Sequence, residues 1–542
     1  MPILTGYTIV DEIFRSSGTT VYRARATTDN RAVVIKLLNR EFPTHEEAAK
    51  IKREFEIARL LNLEGTVRPL ALFPYQKSYA LVLEDFGGVS LGSIMERRRL
   101  TLLESLAIGV TLANTLGKMH QRGVIHKDVK PPNIIVNETT GQVKLTDFRI
   151  SSVIGSEHQE LVNPDRLEGT FPYIAPEQTG RMNRSIDTRA DLYSLGVTLY
   201  EMLTGRLPFM AKDPLEFIHC HIAVSPVPPQ EVNPEIPDPL GAIVLRLLAK
   251  NAEDRYRSGF GLKHDLEHCL SRLRDTGRLE SFPMASRDIP SFLQIPEKLY
   301  GRDQEFAQLL AAFNRIVAGD SRLLLVTGSP GIGKSTLVRE LYRPVVASRA
   351  HFAAGKFGQY QGDIPYSALV TAFGGLLRQI LSEPAPRLAA WRDELAAALG
   401  ANAGIIIDLV PELELLLGPQ PPVIPLPPAE SQNRFNLAVS RFVKTLAGKE
   451  HPLVLFLDDL QWADAATVHF LGLIASNREI RGLLFIGAFR DGEVGPSHPL
   501  SLGLDRLSRD GVLIERLQIT ALSTEGVVAL ITETFLCPPA EA

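Results

Sequence analysis

The sequence predicts an α+β unit, strands first and helices after, followed by an α/β unit built on a parallel sheet, and three observations carry that prediction. The chain has 542 residues, enough for three or four domains at roughly 100–200 residues each. Its first half opens with short β-like runs, RAVVIKLL (31–38) and YALVLEDF (79–86). It then turns helix-rich, as in LLESLAIGVTLANTLGKMH (102–120), where apolar positions recur at helical spacing. From about residue 298 apolar strands alternate with helices (RLLLVTG, LVLFLDD, LLFIGAF), which favours a parallel sheet covered on both faces. Between the halves, residues 276–297 (DTGRLESFPMASRDIPSFLQIP) are polar and proline-spaced without sustained periodicity, and read as a linker. The expected divisions are therefore 1–275, 276–297 and 298–542.

Composition narrows the function classes. With 45% hydrophobic and 22% charged residues the chain is an ordinary globular protein. Its 58 basic and 62 acidic residues leave a net charge of −4, so no basic field points to nucleic acid or anionic lipid. Cys220, Cys269 and Cys537 lie far apart, which argues against a disulfide scaffold or a cysteine zinc site and for a reducing cytoplasm. The N-terminus lacks a basic segment followed by a long apolar stretch, and runs such as LVLFL (453–457) fall far short of the roughly 20 residues that span a bilayer. No membrane span is expected. The stretch GPQPPVIPLPPAE (418–430) reads as a stiff extended connection. His264 and His268 are spaced i, i+4 but have no evident third ligand, so they read as solvated helix histidines.

VIHKDVKPPNIIVN (124–137) is the most informative segment of the first half. Phosphoryl transfer needs an acceptor for a hydroxyl proton, a cation near the transferring phosphate and an oxygen ligand for Mg²⁺. Asp128, Lys130 and Asn133 suit those three roles, and Asp147 in VKLTDFRIS is a candidate second metal ligand. Upstream, Lys36 ends the run VVIK, and Glu54 lies in the helical stretch EEAAKIKREFEIARLL. A lysine that holds phosphates needs a carboxylate to fix its position, and this pair meets that need.

These residues resemble the protein kinase superfamily over about residues 7–273, in the family's motif order: Lys36, Glu54, HKD (126–128), Asn133, DF (147–148) and APE (175–177). The resemblance implies a bilobal kinase fold. It also implies structural roles for Asp191 and for Arg255 paired with Glu177, and an ATP pocket involving Val21 and the hinge around Glu84 and Phe86. Lys130 in D-x-K-x-x-N and Thr170 in GTFPYIAPE match the serine/threonine branch. The sequence departs from the family in several places. Phe14, Ser16 and Thr19 stand at the positions of the glycine-rich loop, leaving Gly18 out of register. Arg149 replaces the glycine of DFG, and Lys127 the arginine of HRD, which weakens control by an activation-loop phosphate. Ser151, Ser152, Ser156 and Thr170 lie between DFR and APE, as candidate phosphorylation sites or as plain loop residues.

RLLLVTGSPGIGKSTLVREL (322–341) is a strand, a glycine-rich loop and a helix start, with Gly328, Gly333, Lys334, Ser335 and Thr336 in the GxxxxGKST phosphate-loop pattern. The loop amides bind phosphates, Lys334 reaches the β- and γ-phosphates, and Ser335 ligates Mg²⁺. LVLFLDDLQWAD (453–464) places Asp458 at the tip of a strand beside the metal, with Asp459 positioned to orient water. Arg490, after LLFIGAF, suits a sensor of the γ-phosphate.

This half resembles the AAA-like signalling NTPases of the STAND class. The phrases LYGRDQEFAQLLAAF (299–313), GKFGQYQGDIPYSAL (355–369), LVPELELLLGPQPPV (409–423) and ESQNRF (430–435) make the whole chain similar to the front of long bacterial proteins. Those proteins join a serine/threonine kinase, an AAA-type ATPase and a sensor histidine kinase. The resemblance implies ATP and Mg²⁺ as cofactors, protein substrates with serine or threonine, and a downstream histidine-kinase module or other signalling partners. It places Tyr300-Gly301-Arg302 near the adenine end of the nucleotide, and it leaves the helical lid truncated after ITALSTEGVVALITETF (518–535). The expected function is an ATP-dependent serine/threonine kinase coupled to a regulatory ATPase. The contrasting expectation is a catalytically weak pseudokinase that serves, with the ATPase, as a nucleotide-dependent switch or scaffold.

Overall fold

The computed structural model describes residues 2, 4–16, 18–40, 43–153, 169–181, 184–290, 298–358, 365–381, 383, 385–535, 537–539 and 541. Strands β1 (Tyr7–Arg15), β2 (Thr19–Ala26), β3 (Ala32–Leu38), β4 (Pro69–Tyr75) and β5 (Ser78–Glu84) form an antiparallel sheet in the order β1-β2-β3-β5-β4. Strand alternation sends Val33, Ile35 and Leu37 to one face, where they pack with Tyr22, Ala24 and Val82. Leu81 and Leu83 face the other way, against Ile51 of helix α1 (His45–Leu61). Helix α1 begins at a reciprocal Thr44–Glu47 capping box, and its buried side includes Glu54.

The helical lobe contains α2 (Leu91–Arg97), α3 (Leu102–Gln121), α4 (Arg189–Thr204) and α5 (Pro214–Ala223). Helix α4 is buried along nearly its whole length, the signature of a central helix. Five short strands frame the loops between the lobes: β6 (Val89–Ser90), β7 (Val124–Ile125), β8 (Ile134–Val136), β9 (Val143–Leu145) and β10 (Ser152–Val153). They pair as β6-β8-β9 and β7-β10.

The expectation of a linker from residue 276 is corrected. After the helix Gly259–Thr276, Leu279, Phe282, Met284 and Ala285 pack onto the helical lobe. Asp288 then accepts hydrogen bonds from the backbone N–H groups of Arg257 (2.6 Å) and Ser258 (2.9 Å), at the start of that helix. Apolar residues recurring every one to three positions dock this segment without regular structure. Residues 291–297 lie outside the described residues.

In the second half β11 (Arg322–Thr327), β12 (His351–Lys356), β13 (Leu453–Asp458), β14 (Leu483–Phe489) and β15 (Ile514–Gln518) form a parallel sheet in the order β12-β13-β14-β11-β15. Leu453, Leu455 and Leu457 of β13 face one layer of helices, while Val454 and Phe456 face the other. Burial on both faces explains why LVLFL carries no polar alternation. The proline-rich residues 418–427 run without helix or strand into the helix Pro428–Leu446. The two halves meet where α5 packs on the helix Tyr342–Ala347, and Arg184 Nη1 pairs with Glu340 Oε1 at 2.6 Å. Among the described residues no helix is long and apolar enough to cross a membrane.

Candidate active site

Between the two lobes of the first half the structure gathers a dense set of charges. Lys36 on β3 places Nζ 2.8 Å from both carboxylate oxygens of Glu54 and 3.0 Å from Asp147 Oδ1. Both Lys36 and Glu54 are buried, at 6% and 1% exposure, so each needs the other to offset its desolvation. Burial pushes Glu54 upward, with the Asp147 charge adding to it, and Lys36 only partly offsets them. Burial also acts to raise the Asp147 carboxyl, but Lys36 and Arg149 outweigh it and hold this group well below its ordinary value.

The loop between β7 and β8 carries the second cluster. Asp128 Oδ1 accepts a hydrogen bond from the Thr170 hydroxyl at 2.9 Å, and its Oδ2 lies 2.7 Å from Lys130 Nζ. Lys130 also donates to the Thr170 hydroxyl oxygen. Asn133 Nδ2 donates to the Asp128 carbonyl (2.8 Å) and to its Oδ2 (3.0 Å), which leaves the Asn133 amide oxygen outside these bonds. Asp191, fully buried on α4, fixes the loop from below. It accepts from the N–H groups of His126 (2.8 Å) and Lys127 (2.7 Å), and its Oδ2 lies 2.9 Å from His120 Nε2. Phe148 is buried against the His126 ring, 5.1 Å between centroids, which holds Asp147 toward the cleft. Arg255 and Glu177 form a bidentate pair at 2.7 and 2.9 Å with essentially no exposure.

The remaining candidates of this half divide. Val21 sits opposite Lys36 in the β2–β3 register. Phe86 joins Val34, Leu83 and Ile135 in an apolar cluster under the sheet. The side chain of Glu84 is engaged elsewhere, by Lys144 Nζ at 2.5 Å and the Arg68 N–H at 2.9 Å, and its backbone N–H donates to the Arg68 carbonyl at 2.9 Å. Ser151 and Ser152 are corrected as loop hydroxyls: both are fully buried, and Ser151 donates to the His126 carbonyl. Ser156 lies outside the described residues. Val34 and Ile135 were missed in the sequence, though each flanks a motif and alternates with buried neighbours.

Arg149 is the larger surprise. Its guanidinium grips Asp147 with two nitrogens, each 2.7 Å from a carboxylate oxygen, and its third reaches the Thr19 hydroxyl at 3.1 Å. Ser16 Oγ in turn accepts from the N–H groups of Thr19 (3.1 Å) and Gly18 (3.4 Å). Three separate departures from the kinase pattern are thus one connected structure.

The second site lies at the C-terminal ends of the parallel strands, where such sheets place their ligands. Gly328 has φ +150°, and a Cβ there would meet the Ile519 carbonyl oxygen at 2.6 Å. Gly333 has φ +99° just before the helix Lys334–Arg339. Lys334 Nζ donates to the carbonyls of Gly328 (2.8 Å) and Ser329 (2.9 Å), and Ser335 donates to Asp458 Oδ2 at 2.7 Å. Thr336 follows, exposed, on the same helix. Strand β14 lies between β11 and β13. Arg490 at its end therefore comes within 3.5 Å of Asp459, which also pairs with Lys356 at 3.3 Å and accepts from Gln461 at 2.9 Å. Arg302 donates to the Thr520 carbonyl at 2.6 Å, tying Tyr300-Gly301-Arg302 to the segment after β15.

Both sites offer hard oxygen donors suited to Mg²⁺: Asp147 with the Asn133 amide oxygen in one, and Ser335 with Asp458 in the other. Among the described residues no group of three or more His, Cys, Asp or Glu side chains forms a metal cluster.

Comparison with known proteins gives a match for each half of the chain. A family model described as the protein kinase domain matches residues 7–266, and one described as the AAA ATPase domain matches residues 298–486. The hybrid signal transduction histidine kinase G of Dictyostelium discoideum is 31% identical over 68% of this chain and 13% of its own length. A probable serine/threonine-protein kinase of Clostridium perfringens is 34% identical over 46% of this chain and 36% of its own. The serine/threonine-protein kinase PknB of Mycobacterium tuberculosis is 32% identical over 45% of this chain and 40% of its own. The chain spans less than half the length of these relatives.

Proposed function

We propose that this chain, a protein kinase domain joined to an AAA ATPase domain, transfers the γ-phosphoryl group of ATP to serine or threonine hydroxyls of protein substrates in signal transduction. The observation that carries the reading is the hydroxyl of Thr170 donating to Asp128 beside Lys130. A substrate hydroxyl in that position has a carboxylate to take its proton and an ammonium to face the transferring charge.

Lys36, fixed by Glu54, holds the α- and β-phosphates. Asp128 accepts the hydroxyl proton as the substrate oxygen bonds to γ-phosphorus and the bond to the β–γ bridging oxygen breaks. Lys130 offsets the charge that develops. Asn133 and Asp147 would hold Mg²⁺, whose chemistry when bound is to neutralise phosphate charge and align the reacting oxygens. Val34, Leu83, Phe86 and Ile135 form an apolar slot for the base. In the second half, Lys334 and the loop amides take phosphates, Ser335 and Asp458 hold the cation, and Asp459 and Arg490 face the γ-phosphate.

The likeness to a hybrid histidine kinase supports a histidine-kinase module or another signalling protein as partner, and the three scattered cysteines support a reducing cytoplasm. One observation favours a second reading, in which the first half is a nucleotide-responsive docking module: Arg149 already fills Asp147.

Transfer of labelled γ-phosphate to the chain itself and to a generic basic protein separates the two. Asp128→Asn is expected to lower transfer by roughly 10²–10⁴-fold while ATP affinity stays within a small factor. Transfer that persists in Asp128→Asn removes Asp128 from its role. ATP binding without any transfer by the wild-type chain selects the docking module.

A further inference from the structure

We propose that Arg149 is a resident cation that competes with Mg²⁺ for Asp147, and that Thr19 and Ser16 fasten it to the phosphate-facing loop. Together the three residues set how much Mg²⁺ nucleotide binding requires. The inference rests on reading the Lys36–Asp147 cleft as a Mg²⁺–nucleotide site.

The argument begins with the oxygens of one carboxylate. Asp147 Oδ1 is shared by Lys36 Nζ (3.0 Å) and Arg149 Nε (2.7 Å), and Oδ2 is taken by Arg149 Nη2 (2.7 Å). A guanidinium fork uses both oxygens in the carboxylate plane, the same positions a divalent cation needs. Charge is already balanced: Lys36 and Arg149 stand against Glu54 and Asp147. A Mg²⁺ ion reaching Asp147 must therefore displace the fork rather than fill a deficit. The two cations compete for one anion, so by linkage whatever strengthens the Arg149 pair weakens the metal.

The loop shows why the fork holds. Thr19 begins strand β2 in extended conformation, so no left-handed backbone demands glycine there. What its side chain adds is a hydroxyl, 2% exposed as a residue, that accepts from Arg149 Nη1 at 3.1 Å. Ser16 Oγ adds a cap on the N–H groups of Gly18 and Thr19, amides that would otherwise face phosphate. Phosphate entering under the loop must break the Ser16 cap, and the metal entering beside it must break the Arg149 fork. Opening one loosens the other through Thr19. Glycine at positions 16, 19 and 149 would remove every part of this chain of bonds.

The test is titration calorimetry of the full chain with a non-hydrolysable ATP analogue across a series of Mg²⁺ concentrations. Lys334→Ala is included throughout so that the second site is silent. Arg149→Gly is expected to lower the Mg²⁺ concentration for half-maximal affinity on the order of tenfold. Thr19→Val, which removes only the hydroxyl, should shift it the same way by roughly three- to fivefold. Arg149→Lys, which keeps the charge but loses the fork, should fall between Arg149→Gly and wild type, and it provides the reading if Arg149→Gly does not fold. An unchanged or higher Mg²⁺ requirement in the Arg149 variants overturns the proposal. Phosphoryl transfer, read separately without Lys334→Ala, distinguishes the two failures. Transfer with no Mg²⁺ shift sinks the latch alone. A Mg²⁺ shift with no transfer sinks the phosphotransfer reading and leaves the latch standing.

Discussion

The chain holds two candidate phosphate sites, and they solve the same electrostatic problem with opposite materials. In the parallel-sheet half the cation Lys334 rests on backbone carbonyls of its own loop, and left-handed glycines shape that loop. In the bilobal half the cations Lys36 and Arg149 rest on carboxylates, and side chains replace the glycines. The two carboxylates proposed to hold metal differ likewise. Asp458 is bonded by a neutral hydroxyl, Ser335, whereas Asp147 is gripped by a full positive charge. A loop built from backbone is intolerant of added atoms but ready for phosphate. A site built from paired side chains tolerates sequence change but must be unlocked.

That difference can be broken at its most buried pairing first. Arg255 and Glu177 are at 0% and 1% side-chain exposure, so Glu177→Gln leaves a buried guanidinium uncompensated. Losing one partner of such a pair costs about 3–5 kcal/mol. The bilobal half should therefore unfold at lower denaturant while the parallel-sheet half keeps its midpoint. Two transitions followed in one denaturant titration check this, the Trp391 and Trp462 fluorescence reporting only the second half. A common shift of both transitions would mean the halves unfold as one unit through the α5 contact.

The backbone-built loop should fail at a smaller insult. Gly328→Ala forces φ +150° on a residue with Cβ and drives that atom against the Ile519 carbonyl. A strained residue in this region costs on the order of 1–3 kcal/mol, spent where the phosphates bind. Nucleotide affinity at the second site should fall roughly tenfold or more by calorimetry, with the first site unaffected. Unchanged affinity would show that the loop relaxes away from Ile519.

What could be read in advance follows the same division. Motifs carried by backbone or by neighbouring residues were legible: GSPGIGKS announces its own loop, and HKDVKPPN places Asp128, Lys130 and Asn133 within one turn. Burial patterns such as LVLFL and AVVIKLL gave the sheets, because period and composition follow directly from which faces are covered. Bonds across long stretches of sequence were not legible. Arg149 lies 130 residues from Thr19, and nothing local in either says that one substitution answers the other. The burial of Ser151 and Ser152 was hidden for a related reason: a hydroxyl reads as exposed until the fold covers it, and only for Ser151 does the fold supply a partner, the His126 carbonyl. The docking of residues 279–288 was missed because an irregular segment has no period to read.

The two halves also compare through a buried histidine in each. His221 on α5 lies 2.8 Å from the Tyr193 hydroxyl and 2.9 Å from the Phe171 carbonyl, and burial, followed by Lys250, pushes it down to about 3. His351 on β12 is likewise pushed down to about 3 by burial, with His451 adding to the effect. Both are neutral when folded, and once unfolded each takes up a proton near its ordinary value of 6.5. The unfolded chain therefore binds more protons between about pH 6.5 and 3. Stability is full above the upper limit and falls as pH drops through that window, by up to about 1.4 kcal/mol per pH unit for each histidine. Denaturant midpoints at about pH 7 and about pH 5 measure the slope for each transition separately. His221→Gln should flatten only the slope of the bilobal half, and His351→Gln only that of the parallel-sheet half. If either variant flattened both, protonation in one half would be felt across the α5 interface, and the two phosphate sites would share a single folding equilibrium.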